Sequence, residues 1–191
     1  MRKGVRSLLA GGLLAALVLV PGSPAIAASN VHAMKVYVSY ADGVRGGPTL
    51  PSPWEGDEGV QFVGGGTQFD AGAIRIVNPS RQPLTIDDVS VDIGSATYDL
   101  WGSSYPITVD GKSSVILTQT VEFDFDTSEP GLATCDPTGD IPLVHIMVGS
   151  RNPKTRTFTD AGQVLNTGGI DPGACTGSNE GHGWVRVHGH D

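Results

Sequence analysis

The acidic residues between residues 123 and 180 are candidates for calcium binding. Ca²⁺ takes several oxygen ligands from carboxylates, amide carbonyls and backbone. The region from residue 123 to residue 180 contains both carboxylate and amide side chains. Its leading candidate ligands are Asp124, Asp126, Asp160 and Asp171. No Asp-x-Asp-x-Asp-Gly loop ending in Glu occurs. The alternative is therefore a set of acidic loops that simply face water.

Aromatic side chains form a second candidate site, for a carbohydrate or a peptide. Trp54, Trp101 and Tyr105 would form a stacking platform if they met on one surface. Aromatic residues make up only 6% of the chain. The alternative is that Trp101, at a strand end, packs in the core.

Histidines offer a third chemistry, because His182, His188 and His190 lie close together near the C-terminus. On a strand, His188 and His190 would share a face, which suits zinc or copper. Adventitious binding by a frayed end is the alternative. His145 lies in the most apolar segment and is interpreted as a hydrogen-bonded core histidine.

Motifs for catalysis are missing from the sequence. Gly-x-Ser-x-Gly, His-Glu-x-x-His and a phosphate-binding glycine loop do not occur. Asp124 and Asp126 are too close in sequence to straddle a glycosidic bond by themselves. No catalytic residue is assigned, and a secreted hydrolase is kept only as an alternative.

Only two cysteines occur, Cys135 and Cys175. In an exported chain they are interpreted as one disulfide, because the compartment is oxidising. Closing this long loop is worth roughly 4 kcal/mol in the chain-entropy model. The disulfide would tether the loops of the C-terminal half.

The first residues have the pattern of a secretory signal peptide. Three cations, Arg2, Lys3 and Arg6, precede an apolar run from Leu8 to Val20, and Pro24-Ala-Ile-Ala27 fits a cleavage site. The apolar run is shorter than the roughly 20 residues that cross a bilayer. We therefore expect residues 1–27 to be removed and residues 28–191 to be one secreted domain.

The charge of the predicted mature chain excludes some partners. The signal contains three of the 12 basic residues and no acidic residue, which leaves nine basic and 20 acidic residues and a formal charge of −11. Such a surface repels phosphate backbones and anionic lipid. Nucleic-acid and membrane-surface binding are disfavoured, and the expected partner is an extracellular protein or polysaccharide.

Alternating apolar residues predict strands rather than helices. Strands are expected at residues 34–40, 73–78, 84–93, 107–109, 114–121, 141–148, 154–159 and 184–188, with further apolar segments at 60–63 and 97–101. The doubled Asp87-Asp88 predicts a bulge or a strand end, and Asp110-Gly111 predicts a tight hairpin. Residues 141–148 are expected to be central and covered on both faces, and residues 154–159 to be an edge strand.

The middle block, Ala73 to Val121, resembles the immunoglobulin-like modules of exported bacterial proteins. A strand, the Asn78-Pro79 turn, a paired strand and a strand after a glycine turn occur in that order. The Cys…Trp…Cys spacing of antibody domains is missing, because both cysteines follow Trp101. The segments Phe125-Asp-Thr-Ser, 160–169 and Asn179-Glu180 are similar to a group of uncharacterised exported bacterial proteins, a resemblance that implies no activity.

Together these patterns predict an all-β, antiparallel, immunoglobulin-like β-sandwich of seven to nine strands with one disulfide in its C-terminal half. The predicted function is that of a secreted, non-catalytic accessory or binding protein that acts through its surface loops and is stabilised by calcium. The alternatives are a carbohydrate- or cell-wall-binding module and the secreted hydrolase.

Overall fold

The computed structural model describes residues 33–43, 50–126, 140–149, 153–166, 181 and 183–190. The predicted signal peptide, both cysteines and Asp171 lie outside these residues, so the cleavage site and the disulfide stay predictions. Within the described residues, no helix is long and apolar enough to span a membrane.

Strands account for almost all regular structure in the described chain, which confirms the all-β class. The one helical element among the named segments is a single 3₁₀ turn, Gly102–Ser104. The strands are β1 Lys35–Asp42, β2 Val60–Val63, β3 Asp70–Val77, β4 Leu84–Ile93, β5 Ala96–Tyr98, β6 Ile107–Val109, β7 Ser114–Leu117, β8 Leu143–Val148, β9 Lys154–Thr159 and β10 Val185–His190.

The strands form one curled sheet in the order β2-β7-β3-β1-β10-β9-β8-β4-β5, and β6 also pairs with β4. The strand β10 joins the two halves, because its residues 185–187 pair with β1 and its residues 188–190 pair with β9. We call β2, β7, β3 and β1 the first half and β9, β8, β4, β5 and β6 the second half. The sheet is mixed rather than antiparallel throughout, since β2 and β7 run parallel.

The main core fills the inside of the curl. Alternate side chains of both halves point inward, and the fully buried ones include Val36, Val38, Ile74, Ile76, Ile86, Val89, Val91, Val144 and Ile146. Complete burial of such a side chain is worth about 1.5–3 kcal/mol relative to exposure. The core therefore packs side chains of both halves of the sheet against one another.

Two local predictions in the middle block are confirmed. The register between β4 and β8 shifts between Ile86 and Asp88, so a bulge lies at the doubled aspartate. The side chain of Asn78, fully buried, accepts a hydrogen bond from the Ser80 N–H at 3.1 Å and donates from Nδ2 to the Val109 carbonyl at 3.0 Å. This asparagine fixes the turn after β3 and ties it to the end of β6.

The predicted hairpin at Asp110-Gly111 is wrong. A turn is present, in which the Ser113 N–H donates to the Asp110 carbonyl at 3.2 Å, but β6 pairs with β4 and β7 pairs with β3. The chain thus crosses from the second half to the first. The left-handed residue of the turn is Lys112, with φ 68°.

The environments of β8 and β9 also differ from expectation. The strand β9 is not at an edge, because it pairs with both β8 and β10. The strand β8 is central, but only its inward face is fully buried, while Leu143, His145 and Met147 are half-buried. The apolar residues on the outer side of β8 are therefore covered only in part.

Gly111 is required for close packing of the turn, and we predict that Gly111→Ala destabilises the fold. A Cβ atom there would lie 2.5 Å from the backbone C and O of Arg81. Such a forced backbone shift costs about 1–3 kcal/mol. Gly102→Ala is the control, because nothing lies within 4 Å of its added Cβ. Urea unfolding with equal midpoints for the two variants would contradict the packing argument.

Candidate functional site

The three aromatic residues predicted as a ligand platform do not share a surface. Trp101 is fully buried in the main core, and its Nε1–H donates to the Thr118 carbonyl at 2.6 Å. Tyr105 is half-buried, and its hydroxyl donates to the Val89 carbonyl at 3.2 Å. Burial, followed by the charge of Asp88, raises the pKa of Tyr105 above its usual range. Both side chains serve the fold in this arrangement.

Trp54 lies in a second, smaller apolar cluster on the outer face of the first half. Its ring makes edge contacts with Phe62 at 5.3 Å and Phe69 at 5.2 Å between centroids. Trp184 lies 6.1 Å from it and donates from Nε1 to the Pro53 carbonyl at 3.0 Å. Trp54 thereby fastens residues 50–59 over the sheet.

Two of the four predicted calcium ligands lie at the end of the first half. The Tyr40 hydroxyl, fully buried, donates to Asp126 Oδ1 at 2.5 Å and lies 3.4 Å from Asp70 Oδ1. Asp70 itself stands opposite Asp42 in the β1–β3 register. Asp124, two residues from Asp126, is exposed. Carboxylates therefore gather around the Tyr40 hydroxyl.

Asp160 has a different setting, directly after β9. Its side chain is fully buried, and Oδ2 accepts a hydrogen bond from the Leu165 N–H at 2.8 Å. Its own N–H donates to the Pro142 carbonyl at 2.9 Å. Among the described residues, no group of three or more His, Cys, Asp or Glu is arranged to hold a metal ion. With Asp171 outside the description, the calcium site stays a prediction.

His145 is hydrogen-bonded, as predicted, but it lies on the outer face of the second half. Its Nδ1 is 3.0 Å from Thr157 Oγ1, and its Nε2 is 3.1 Å from Asp92 Oδ2. His188 is exposed on β10. His182 and the side chain of His190 are outside the described part, so the zinc or copper alternative is not tested.

The strand predicted at residues 114–121 ends at Leu117, and residues 118–126 form a loop, which we call the tip loop. Its first anchor is Thr118, a fully buried residue whose Oγ1–H donates to the Gly72 carbonyl at 2.9 Å. The Thr118 carbonyl accepts a hydrogen bond from the Trp101 indole N–H, and the backbone N–H of Thr118 donates to the Val63 carbonyl at 3.2 Å. The loop therefore leaves the sheet from a fixed point.

The second anchor of the tip loop is Phe125. Its fully buried ring lies 4.9 Å from Tyr98 and 5.9 Å from Trp101 between centroids. The Phe125 carbonyl accepts the Gly72 N–H at 2.9 Å. A Cβ atom on Gly72 would lie 2.8 Å from the Phe125 ring, so this contact requires glycine. Both ends of the tip loop are therefore hydrogen-bonded to Gly72, through Thr118 and Phe125.

Hydrogen bonds also hold the middle of the tip loop. The Gln119 side chain donates from Nε2 to the Gln68 carbonyl at 2.9 Å, and its Oε1 accepts the Asp70 N–H at 3.3 Å. The Phe123 N–H donates to Thr120 Oγ1 at 2.9 Å, and the Thr120 N–H donates to the Phe123 carbonyl at 2.8 Å. These bonds close a compact turn at residues 120–123.

The turn presents two large apolar side chains to solvent. Val121 is 85% exposed and Phe123 is 55% exposed. Glu122 and Asp124, also exposed, alternate with them. Alternation in the sequence does not predict this arrangement, because Phe123 and Phe125 are two positions apart and would share a face of a strand. In the structure Phe123 is exposed and Phe125 is buried.

Comparisons with protein families, curated proteins and solved structures found no match to this chain. The proposed function therefore depends on the geometry of the described residues.

The Tyr40 hydroxyl fastens the end of the tip loop, and we predict that Tyr40→Phe lowers the free energy of unfolding by about 1.5–3 kcal/mol. A hydrogen bond to a carboxylate has about that value. Tyr105→Phe is the control, because its hydroxyl donates to a neutral carbonyl and its loss costs about 0.5–1.5 kcal/mol. Chemical denaturation measures both. Equal losses would show that the Asp126 contact contributes nothing special.

Proposed function

We propose that the chain is an exported, non-catalytic binding protein that contacts an extracellular partner protein through Val121 and Phe123 of the tip loop. One observation carries this proposal: the two apolar side chains are exposed on a loop whose two ends are fixed in the core. When a partner covers apolar side chains that are exposed on an ordered loop, their removal from water favours the complex.

The loop geometry favours binding energetically. Ordering a flexible side chain or loop on association costs free energy, and a loop that is already ordered avoids much of that cost. Full burial of a valine or phenylalanine side chain against a partner is worth about 1.5–3 kcal/mol each. Aromatic residues are also enriched among the residues that dominate interface energies. Phe123 is accordingly the expected anchor.

The charges around the tip specify the partner's chemistry. Glu122 lies between the two apolar residues and Asp124 follows Phe123, and both acidic side chains are exposed. Complementary charge speeds association and suppresses wrong partners. The partner is therefore expected to present an apolar pocket bordered by lysine or arginine.

The proposal includes three predictions made from sequence. They are export through a signal peptide that ends near Ala27, a Cys135–Cys175 disulfide, and an immunoglobulin-like sandwich. The two halves that face each other across one core support the last of these. Calcium stabilisation through Asp124, Asp126, Asp160 and Asp171 is kept as a prediction. The aromatic platform of Trp54, Trp101 and Tyr105 is not part of the proposal, because Trp101 is fully buried.

Site-specific photo-crosslinking tests the proposal. A photoreactive residue at position 123 is expected to capture one protein from the secreted and envelope fractions of the producing cells. The same residue at position 96 is the control, because Ala96 is exposed on β5 in the second half. Capture at both positions, or at neither, would contradict the assignment of the tip.

With the captured partner purified, Val121→Ser with Phe123→Ser is expected to raise Kd at least about tenfold, which corresponds to about 1.4 kcal/mol. The matched control is Leu50→Ser with Ile141→Ser, since these side chains are 46% and 49% exposed outside the tip. The control pair should leave Kd unchanged. Equal weakening by both pairs would show that general surface hydrophobicity, and not the tip, binds the partner.

A further inference from the structure

Three neighbouring strands place a basic row on the outer face of the first half and β10. Tyr37 on β1 stands directly opposite Arg75 on β3 and directly opposite Arg186 on β10. Their sequence neighbours Val36, Ile76 and Val187 point into the main core. Because side chains alternate along a strand, Arg75, Tyr37 and Arg186 all lie on the opposite, outer face.

The surroundings of this basic row contain no carboxylate at the outward positions next to it. These positions hold Lys35 and Ser39 on β1, Ala73 and Val77 on β3, and Trp184 and His188 at β10. Lys35 adds a third cation. Three of the nine basic residues of the predicted mature chain thus meet on one face of a protein that has 20 acidic residues. Such segregation of charge points to an anionic ligand.

Arg75 is held in place without an acidic partner. Its Nε–H donates to Ser114 Oγ at 3.2 Å, and its guanidinium carbon lies 5.9 Å from the centre of the Tyr37 ring. Burial, offset in part by Tyr37, lowers the pKa of Arg75, although arginine stays charged at neutral pH. Among the described residues, neither Arg75 nor Arg186 forms an ion pair with a carboxylate. The two guanidinium groups are therefore available to a ligand.

We propose that the outer face of β3, β1 and β10 binds an anionic polysaccharide. The Cα atoms of Arg75 and Arg186 lie about 10 Å apart, since each is one antiparallel pair spacing from Tyr37. Planar guanidinium groups bind carboxylate, sulfate or phosphate through two parallel hydrogen bonds. The Tyr37 ring between them offers an apolar surface to a sugar ring. An extended chain with repeated acidic groups fits this linear arrangement.

The observations favour a polysaccharide over other polyanions. The Tyr37 ring suits a sugar ring, whereas an acidic peptide would need only the cations. The acidic remainder of the surface repels every polyanion, but it repels a polymer with one charge per sugar ring less than double-stranded nucleic acid, which carries one charge per about 1.7 Å. The proposal uses residues distinct from the tip loop, so it stands independently of the partner protein proposed above.

Binding assays with defined polymers test this site. The probes are polygalacturonate for carboxylates and dextran sulfate for sulfate esters, with dextran, poly-L-glutamate and single-stranded DNA as comparisons. We expect binding to at least one of the two anionic polysaccharides and none to dextran. Arg75→Gln with Arg186→Gln is expected to raise Kd at least about tenfold and to reduce the salt slope by about 1.5–2, in line with counterion release at two contacts.

A charge-matched control separates a site from general electrostatics. Arg81→Gln with Lys154→Gln removes two exposed cations elsewhere and should leave Kd within about twofold of the wild type. Arg186→Gln alone, at an exposed position, covers the case in which the double variant loses stability, and it should weaken binding about threefold.

Three results would overturn the proposal. The first is no binding to either anionic polysaccharide by the folded protein. The second is equal weakening in the double variant and its charge-matched control. The third is a preference for poly-L-glutamate or DNA, which would reassign the face to an acidic polypeptide or to nucleic acid.

Discussion

The Phe125 ring packs over Gly72 and against Trp101, and this contact joins the two halves of the curled sheet and positions the tip loop. Trp101 follows β5 in the second half, whereas Gly72 lies on β3 in the first, and the Phe125 ring contacts both. A buried indole N–H needs an acceptor, and the Thr118 carbonyl at the end of β7 provides it. One apolar contact and one hydrogen bond thus join the two halves and fix both ends of the tip loop.

The anchoring of the tip loop also determines which residues face solvent. The Phe125 ring is buried over Gly72, and the turn that Thr120 and Phe123 close leaves Val121 and Phe123 exposed. The acidic tip and the basic row on β3, β1 and β10 present opposite charge and different chemistry. The tip exposes a small apolar surface, and the row places two guanidinium groups on one face of the sheet. The two proposed sites would therefore take different ligands.

Local sequence patterns predicted the local structure well. Alternation located the strands, the doubled Asp87-Asp88 marked the bulge, and Asn78 marked a turn, because each depends on neighbouring residues. Pairing between distant segments was not predictable in this way. The crossing of β6 to β7, the interior position of β9 and the parallel β2–β7 pair all depend on how the whole sheet curls. The hairpin expected at Asp110-Gly111 failed for that reason.

The candidate sites also depend on long-range packing, which local sequence patterns do not reveal. The burial of Trp101 and the separate settings of Asp126 and Asp160 depend on tertiary packing, which residue types do not reveal. The row Arg75–Tyr37–Arg186 joins three strands far apart in sequence, so only the register shows it. The exposure of Phe123 is apparent only in the structure, where the ring of Phe125 packs over Gly72.

The central claim is that the tip loop is ordered before any partner binds. Backbone ¹⁵N relaxation of the isolated protein tests it most directly, at the amides of Val121 and Phe123. The anchors and the Thr120–Phe123 hydrogen bonds predict order parameters of about 0.85, equal to those of the strands. Values below about 0.6 at these two amides would show a flexible loop and would contradict the account.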